Sequence, residues 1–273
     1  MKKKLHTQSI NLKSINNARE LGGYLTAEGK KIKRGVLLRT AKLNKISSQD
    51  ITRLTKIYNL ATIADLRMTS EALPHPDPVI EGVRYVNLRV IDEDLFMNEL
   101  EKKLSGDKDP FETLKTIANS GLIGEDLYIN FLAGEYGKKA YKEFFHELLI
   151  LPPGRSLLFH CTQGKDRTGC AAMLILSALG SGEDTIIEDY MLTNIFNADL
   201  IAADRKMLTG HGVKEEELDK YFFILNAVHP TLMKNALAWL KENYGSPIGY
   251  IINELKVSQG DLKELKLKFL EEE

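Results

Sequence analysis

A cysteine and an arginine stand six positions apart, with a glycine between them, in His160-Cys161-Thr162-Gln163-Gly164-Lys165-Asp166-Arg167-Thr168-Gly169. The apolar run Ser156-Leu157-Leu158-Phe159 leads into this segment, and a helix-forming run from Thr168 to Leu176 leads out of it. Strand, tight loop and helix N-terminus make an anion site, because the first turn of a helix presents unpaired N–H groups and the positive end of its dipole. A thiol held there is favoured as thiolate, since helix N-termini and nearby cations lower cysteine pKa values to roughly 3.5–7.5. A guanidinium beside it can clamp a tetrahedral oxyanion through two hydrogen bonds. A nucleophile inside such a cradle is equipped to attack a phosphate ester.

The roles divide by residue type. Cys161 would attack phosphorus, and Arg167 would hold two phosphate oxygens and stabilise charge in the transition state. Gly164 lets the backbone turn its amides inward, where a Cβ would interfere. Thr162, Gln163, Gly164 and Lys165 form the substrate-binding loop, and Thr168 would donate its hydroxyl to the departing sulfur. His160 would brace the loop from the strand end. The alternative for Cys161, a buried structural thiol, leaves the aligned arginine and glycine as coincidence. Cys170 has no such context: six residues beyond it stands Leu176, and it reads as a small apolar helix residue. A Walker phosphate loop needs a glycine five positions before Gly164 and Ser or Thr after the lysine. Phe159 and Asp166 occupy those positions, so that reading fails.

The elements that must hold this loop follow from patterning. Gly35 to Thr40 reads as a strand, Ser47 as the N-cap of a helix through about Tyr58, and Leu60 to Leu66 as a buried parallel strand. After a loop carrying Pro74, Pro76 and Pro78, Val83 to Val90 reads as a third strand, and Leu157 to His160 as the fourth. Between them, Glu93 to Ile150 is mainly helical, with breaks near Gly106, Gly121 and Gly134. Beyond Gly180 the expected elements are helices: Ser181 to Met207, Tyr221 to Tyr244 interrupted at Pro230, and Asp261 to Leu270. The fold class expected is α/β, a central, largely parallel sheet flanked by helices. Residues 1–273 are expected to form a single domain, with 181–273 a helical extension that covers the site as a lid.

Composition sets the outer limits. The 273 residues are 43% apolar and 27% charged, with a formal net charge of -1. That balance argues against a nucleic-acid partner, which would call for a basic excess. Two cysteines give no disulfide framework, and no run reaches the length of a membrane span. Met1-Lys2-Lys3-Lys4 has the positive start of a signal peptide, but the polar residues that follow do not make its apolar segment. The expected location is cytoplasmic.

The loop HCTQGKDRTG resembles the cysteine-dependent protein tyrosine phosphatase superfamily, whose loop is HCxxxxxR followed by Ser or Thr. More narrowly, it resembles the bacterial tyrosine and lipid phosphatase branch with HCxxGKDRTG. Asn17-Ala18-Arg19-Glu20-Leu21-Gly22-Gly23, Ala64-Asp65-Leu66-Arg67 and Glu188-Asp189-Tyr190-Met191-Leu192-Thr193-Asn194 are similar to further motifs of that branch. The stretch from Tyr244-Gly245-Ser246 through Leu265 also fits. The resemblance implies a two-step reaction through a cysteinyl-phosphate, with no cofactor and no metal. It implies phosphotyrosine, phosphoserine or phosphothreonine, or phosphoinositide substrates, with phosphate, sulfate or vanadate able to fill the loop. Lys165 is a pointer to multi-phosphate substrates, or simply a general attraction for phosphate. The wider superfamily draws its proton donor from a W-P-D loop, but Trp239 lies in Trp239-Leu240-Lys241. Asp166 ranks first as donor, because a neighbouring thiolate favours the protonated carboxyl. Asp65, Asp92 and Asp94 follow, while Asp77 in Pro76-Asp77-Pro78 reads as the end of a turn. The competing classes are a catalytically weak phosphate-binding module of the same fold and a rhodanese-like sulfur transferase.

Overall fold

The computed structural model describes residues 7–103, 109–121, 123–222 and 224–272. The readings at Met1 to Lys4 and Gly106 lie outside the described residues. In chain order, β1 (Arg19–Glu20), β2 (Leu37–Thr40), α1 (Ser48–Lys56), β3 (Leu60–Asp65), α2 (Thr69–Ala72) and β4 (Arg84–Asn87) come first. Helices α3 (Glu93–Lys103), α4 (Pro110–Ser120), α5 (Leu127–Ala133) and α6 (Glu135–Ile150) precede β5 (Ser156–His160). The remainder is helical: α7 (Asp166–Leu179), α8 (Glu183–Phe196), α9 (Ala198–Gly210), α10 (Leu218–Phe222), α11 (Pro230–Tyr244), α12 (Pro247–Asn253) and α13 (Gln259–Phe269).

The sheet order is β1-β2-β5-β3-β4, parallel throughout except that β1 runs antiparallel to β2. Strand β5 lies at the centre with all five residues buried, which accounts for its unbroken apolar run. In the register, Thr40 and Asp65 both pair with His160, so β2, β3 and β5 end at one level. Ligands of such sheets bind outside these carboxyl ends, where Cys161 begins the loop.

Helix α7 runs back from the loop with every residue from Arg167 to Leu179 buried. Leu132, Tyr141, Phe144, Met233, Leu237, Tyr250, Leu265 and Phe269 belong to the apolar core around it. The expected 181–273 extension therefore divides: α8 and α11 to α13 build the main core. A smaller, separate apolar cluster joins Leu208, Leu218, Tyr221 and Phe222 to Phe111, Leu114 and Ala118, so α9 and α10 pack with α4.

Other boundaries shift for local reasons. Strand β1 has two residues and carries no periodicity to read. The third strand stops at Asn87, opposite the last residue of β3, Asp65. The long helix expected from Ser181 breaks at Asn197, whose backbone N–H closes α8 on the Thr193 carbonyl. Pro230 occupies the first turn of α11, so the interruption expected there is the start of a new helix. Among the described residues, no helix is long and apolar enough to cross a membrane.

Candidate active site

The loop from Cys161 to Lys165 is pinned from the N-terminal side. Asn17 Nδ2 donates to the carbonyls of Gly164 (2.8 Å) and Gln163 (3.2 Å), and Arg39 Nη2 donates to Gly164 O at 2.9 Å. Lys42 N donates to Thr162 O at 3.2 Å. Tying down the carbonyls leaves the loop amides for an anion. Gly164 has φ +65°, and a Cβ there would meet the Thr40 carbonyl oxygen at 2.2 Å, so both conformation and space require glycine. Behind Asn17, Asp189 holds two buried guanidiniums: Arg19 Nε at 3.0 Å, and Arg39 Nη1. Burial and Arg39 lower the Arg19 pKa to about 10, against the pull of Asp189. Burial alone would raise the Asp189 carboxyl, yet the two arginines hold it below its ordinary value.

Cys161 is 2% exposed at the end of β5. Arg167 directs Nη1 (2.5 Å) and Nη2 (2.8 Å) at the two carboxylate oxygens of Glu71, and Thr162 Oγ1 donates to Glu71 Oε1 at 2.5 Å. Burial opposes the charge on both partners. The pairing, with Cys161 adding to the field at the arginine, raises Arg167 above its ordinary value and lowers Glu71 to about 2. This fork, with a further contact from Nη1 to Leu66 O at 3.4 Å, orients the guanidinium. Lys165 Nζ is buried beneath Ala227 O (3.3 Å) and lies 3.7 Å from Asp166 Oδ2. Asp166, at the start of α7, keeps 22% of its side chain exposed. The Thr168 hydroxyl is buried without a hydrogen-bond partner among the described residues, so the expected bond to sulfur is not formed.

The sequence profile of the tyrosine phosphatase family matches residues 10–271. The chain belongs to the tyrosine phosphatase family. The triple specificity protein phosphatase PtpB of Mycobacterium tuberculosis is 27% identical over 274 residues, covering 92% of this chain and 95% of that one. A Cupriavidus necator protein, a tyrosine-protein phosphatase by assignment, is 27% identical over 250 residues, 92% of this chain and 85% of its own. A tyrosine-protein phosphatase of Nostoc commune is 25% identical over 246 residues, 85% and 73% respectively.

In this phosphatase the candidate proton donors are separated by their surroundings. Asp65 is wholly buried, accepting from Arg67 Nε and Nη2 and from Tyr85 OH at 2.7 Å, so it has no open oxygen for substrate. Asp92 accepts from Leu95 N and caps α3, and Asp94 sits exposed in that helix's first turn. Asp77, read as the end of a turn, is instead buried: its Oδ1 accepts from Leu43 N, and Oδ2 lies 2.8 Å from His160 Nε2 and 3.0 Å from Arg67 Nη2. Asp65, Asp77 and His160 converge as metal ligands would, but the Arg67 guanidinium already supplies the positive charge between the two carboxylates. Burial opposes charging His160, but Asp65 and Asp77 outweigh it and raise the imidazole above its ordinary value. Its Nδ1 lies 3.1 Å from the Cys161 carbonyl, the brace expected of it.

Three participants escaped the sequence, and a fourth, Asp77, was weighed and read as the end of a turn. Arg39 was hidden in a strand that reads as apolar. Glu71 follows the Asp65-Leu66-Arg67 motif at the N3 position of α2 and accepts from Met68 N, but a methionine at the N-cap leaves no capping pattern to mark it. Asp77 was masked by its prolines. Tyr128, whose hydroxyl reaches Asp166, lies in a helical run with nothing to mark it.

Proposed function

We propose that this phosphatase hydrolyses phosphate monoesters through a phosphocysteine on Cys161. The sulfur attacks phosphorus, an S–P bond forms, the P–O bond to the alcohol breaks, and the leaving oxygen takes a proton from Asp166. Water then attacks phosphorus, the S–P bond breaks, Asp166 takes the water proton, and inorganic phosphate leaves. Arg167 and the loop amides carry the transition-state charge, so the cycle calls on no metal. The observation that carries this reading is the placement of Asp166. Of the weighed aspartates it is the one inside the loop itself, partly open to solvent, while Asp65 and Asp77 are spent in buried ion pairs and Asp92 caps a helix.

Phosphotyrosine is the substrate that the family and the names of the relatives support, with phosphoserine or phosphothreonine behind it. A phosphoinositide would use Lys165, which requires the chain around Ala227 to move. The relative named triple specificity makes that wider range reasonable. Two free cysteines, one of them the nucleophile, fit a reducing, cytoplasmic setting, and the family match over residues 10–271 fits one phosphatase domain.

The test is hydrolysis of an aryl phosphate in chelator by the wild type and Cys161→Ser, with acid-quench trapping of radiolabelled phosphate. Turnover that disappears in the variant, with label on Cys161 in the wild type, is the expected result. Vanadate binding without label or turnover would leave a phosphate-binding module.

A further inference from the structure

Asp166 is not held by the loop alone. Tyr128 OH donates to Asp166 Oδ1 at 2.7 Å, and Tyr190 OH lies 2.8 Å from the Tyr128 oxygen. The two rings meet edge to face, centroids 5.9 Å apart at 85°, and both side chains are buried. An ionised carboxylate only accepts, so the single proton of Tyr128 is committed to Oδ1. Tyr190 then donates to the Tyr128 oxygen, giving an ordered chain of two phenols ending on the carboxyl group. Burial and the charge of Asp166 raise both phenols above their ordinary range, so neither ionises in place of the carboxyl.

We propose that Tyr128, backed by Tyr190, is a positioning residue that fixes the rotation of Asp166 and reserves its Oδ2 for the proton passed to the leaving oxygen. With Oδ1 occupied by a donor in both protonation states, the transferable proton resides on Oδ2, the oxygen 3.7 Å from Lys165 Nζ. In the second step the same hydrogen bond stabilises the carboxylate that must accept the water proton. The inference rests on the reading of Asp166 as proton donor.

The experiment compares p-nitrophenyl phosphate, whose alcohol leaves without a proton, with phenyl phosphate, whose alcohol needs one. It uses the full chain and reads kcat/KM, which ends at cleavage of the ester and so isolates the first step. Asp166→Asn is expected to lower the phenyl phosphate value by about a hundredfold or more, the lower end of general acid catalysis, and the nitrophenyl value far less. Tyr128→Phe should fall about tenfold on phenyl phosphate and several times less on the nitrophenyl ester, the loss expected when a donor is present but misaimed. In the Asp166→Asn background the same change should add less than about twofold, because residues acting as a unit are non-additive.

Tyr190→Phe should give a smaller loss of the same selectivity, and it carries the test if Tyr128→Phe fails to fold. Equal losses on both esters, or full additivity with Asp166→Asn, would overturn the proposal while leaving Asp166 as donor. Should Asp166→Asn itself treat the two esters alike, the donor reading and this inference fall together.

Discussion

Around the anion loop, charge is buried in matched sets: Arg19 and Arg39 on Asp189, and Arg67 with His160 on Asp65 and Asp77, all about 1% exposed or less. In the cap made by α4, α9 and α10, the pairs are at the surface, as in Arg205 with Glu215 and Lys115 with Glu112. The floor tolerates the desolvation of several charges because each also satisfies a loop carbonyl or a neighbouring charge. The cap spends its charges in water and is joined by a small apolar cluster of its own. The difference teaches where rigidity is placed: the groups that must hold an anion are over-determined, while the helices beside them are loosely tied.

The largest effect expected from this contrast is at Asp189. Asp189→Ala leaves two guanidiniums buried without a counter-charge, and breaking such pairs costs about 3–5 kcal/mol. Urea unfolding should show that loss, and vanadate affinity should fall with it, because Arg39 and Asn17 then lose their alignment on Gly164. A loss below about 1 kcal/mol, the range of exposed pairs, would place the floor with the cap and erase the distinction.

A middle-sized effect is expected from pH. His160 has its pKa raised by Asp65 and Asp77, so its contribution is full below the unfolded value near about 6.5 and is lost as pH rises through the folded value. Glu71 is held down at about 2, so its contribution is present above its unfolded value near 4.5 and is lost as pH falls toward about 2. Thermal melting should therefore decline on both sides of neutrality. The alkaline decline should flatten in His160→Gln and the acid decline in Glu71→Gln, each variant leaving the other limb in place. Identical pH profiles for the wild type and His160→Gln would remove the buried imidazolium from the floor.

The sequence made some of this legible and hid the rest for identifiable reasons. Cys161, Gly164 and Arg167 were readable because a strand, a positive-φ glycine and a helix start leave a fixed spacing. The inner parallel strands β2, β3 and β5 were readable because burial on both faces suppresses alternation, as at Leu157 to His160. Strand β1 was not, since two residues hold no period. Arg39 and Tyr128 act through residues more than 30 positions away, as Asp77 does toward Leu43 and His160, and such contacts leave no local pattern. Helices α9 and α10 lie where helices were expected beyond the loop, but α4 packs with them from a region read only as helical.

The smallest effect is expected in the cap, and it decides whether the cap is separable. Arg205 and Glu215 are 49% and 66% exposed, so their attraction is screened by water and salt, and Glu215→Gln should change stability by under about 0.5 kcal/mol. The Arg205 guanidinium keeps its place over the Phe222 ring, 5.6 Å from the centroid, which limits the loss further. The same variant should be cut faster by a protease between Ala198 and Phe222 while the rest of the chain stays whole, because local opening there needs only the small cluster around Leu208 and Leu218 to part. Adding vanadate to the wild type should slow that cleavage if the cap closes over an occupied loop through Ala227 and Lys165. Cleavage that begins in the sheet instead, or a stability loss approaching that of Asp189→Ala, would mean that cap and floor open as one unit, and the buried sets around the loop would then be guarding the helices as well as the anion.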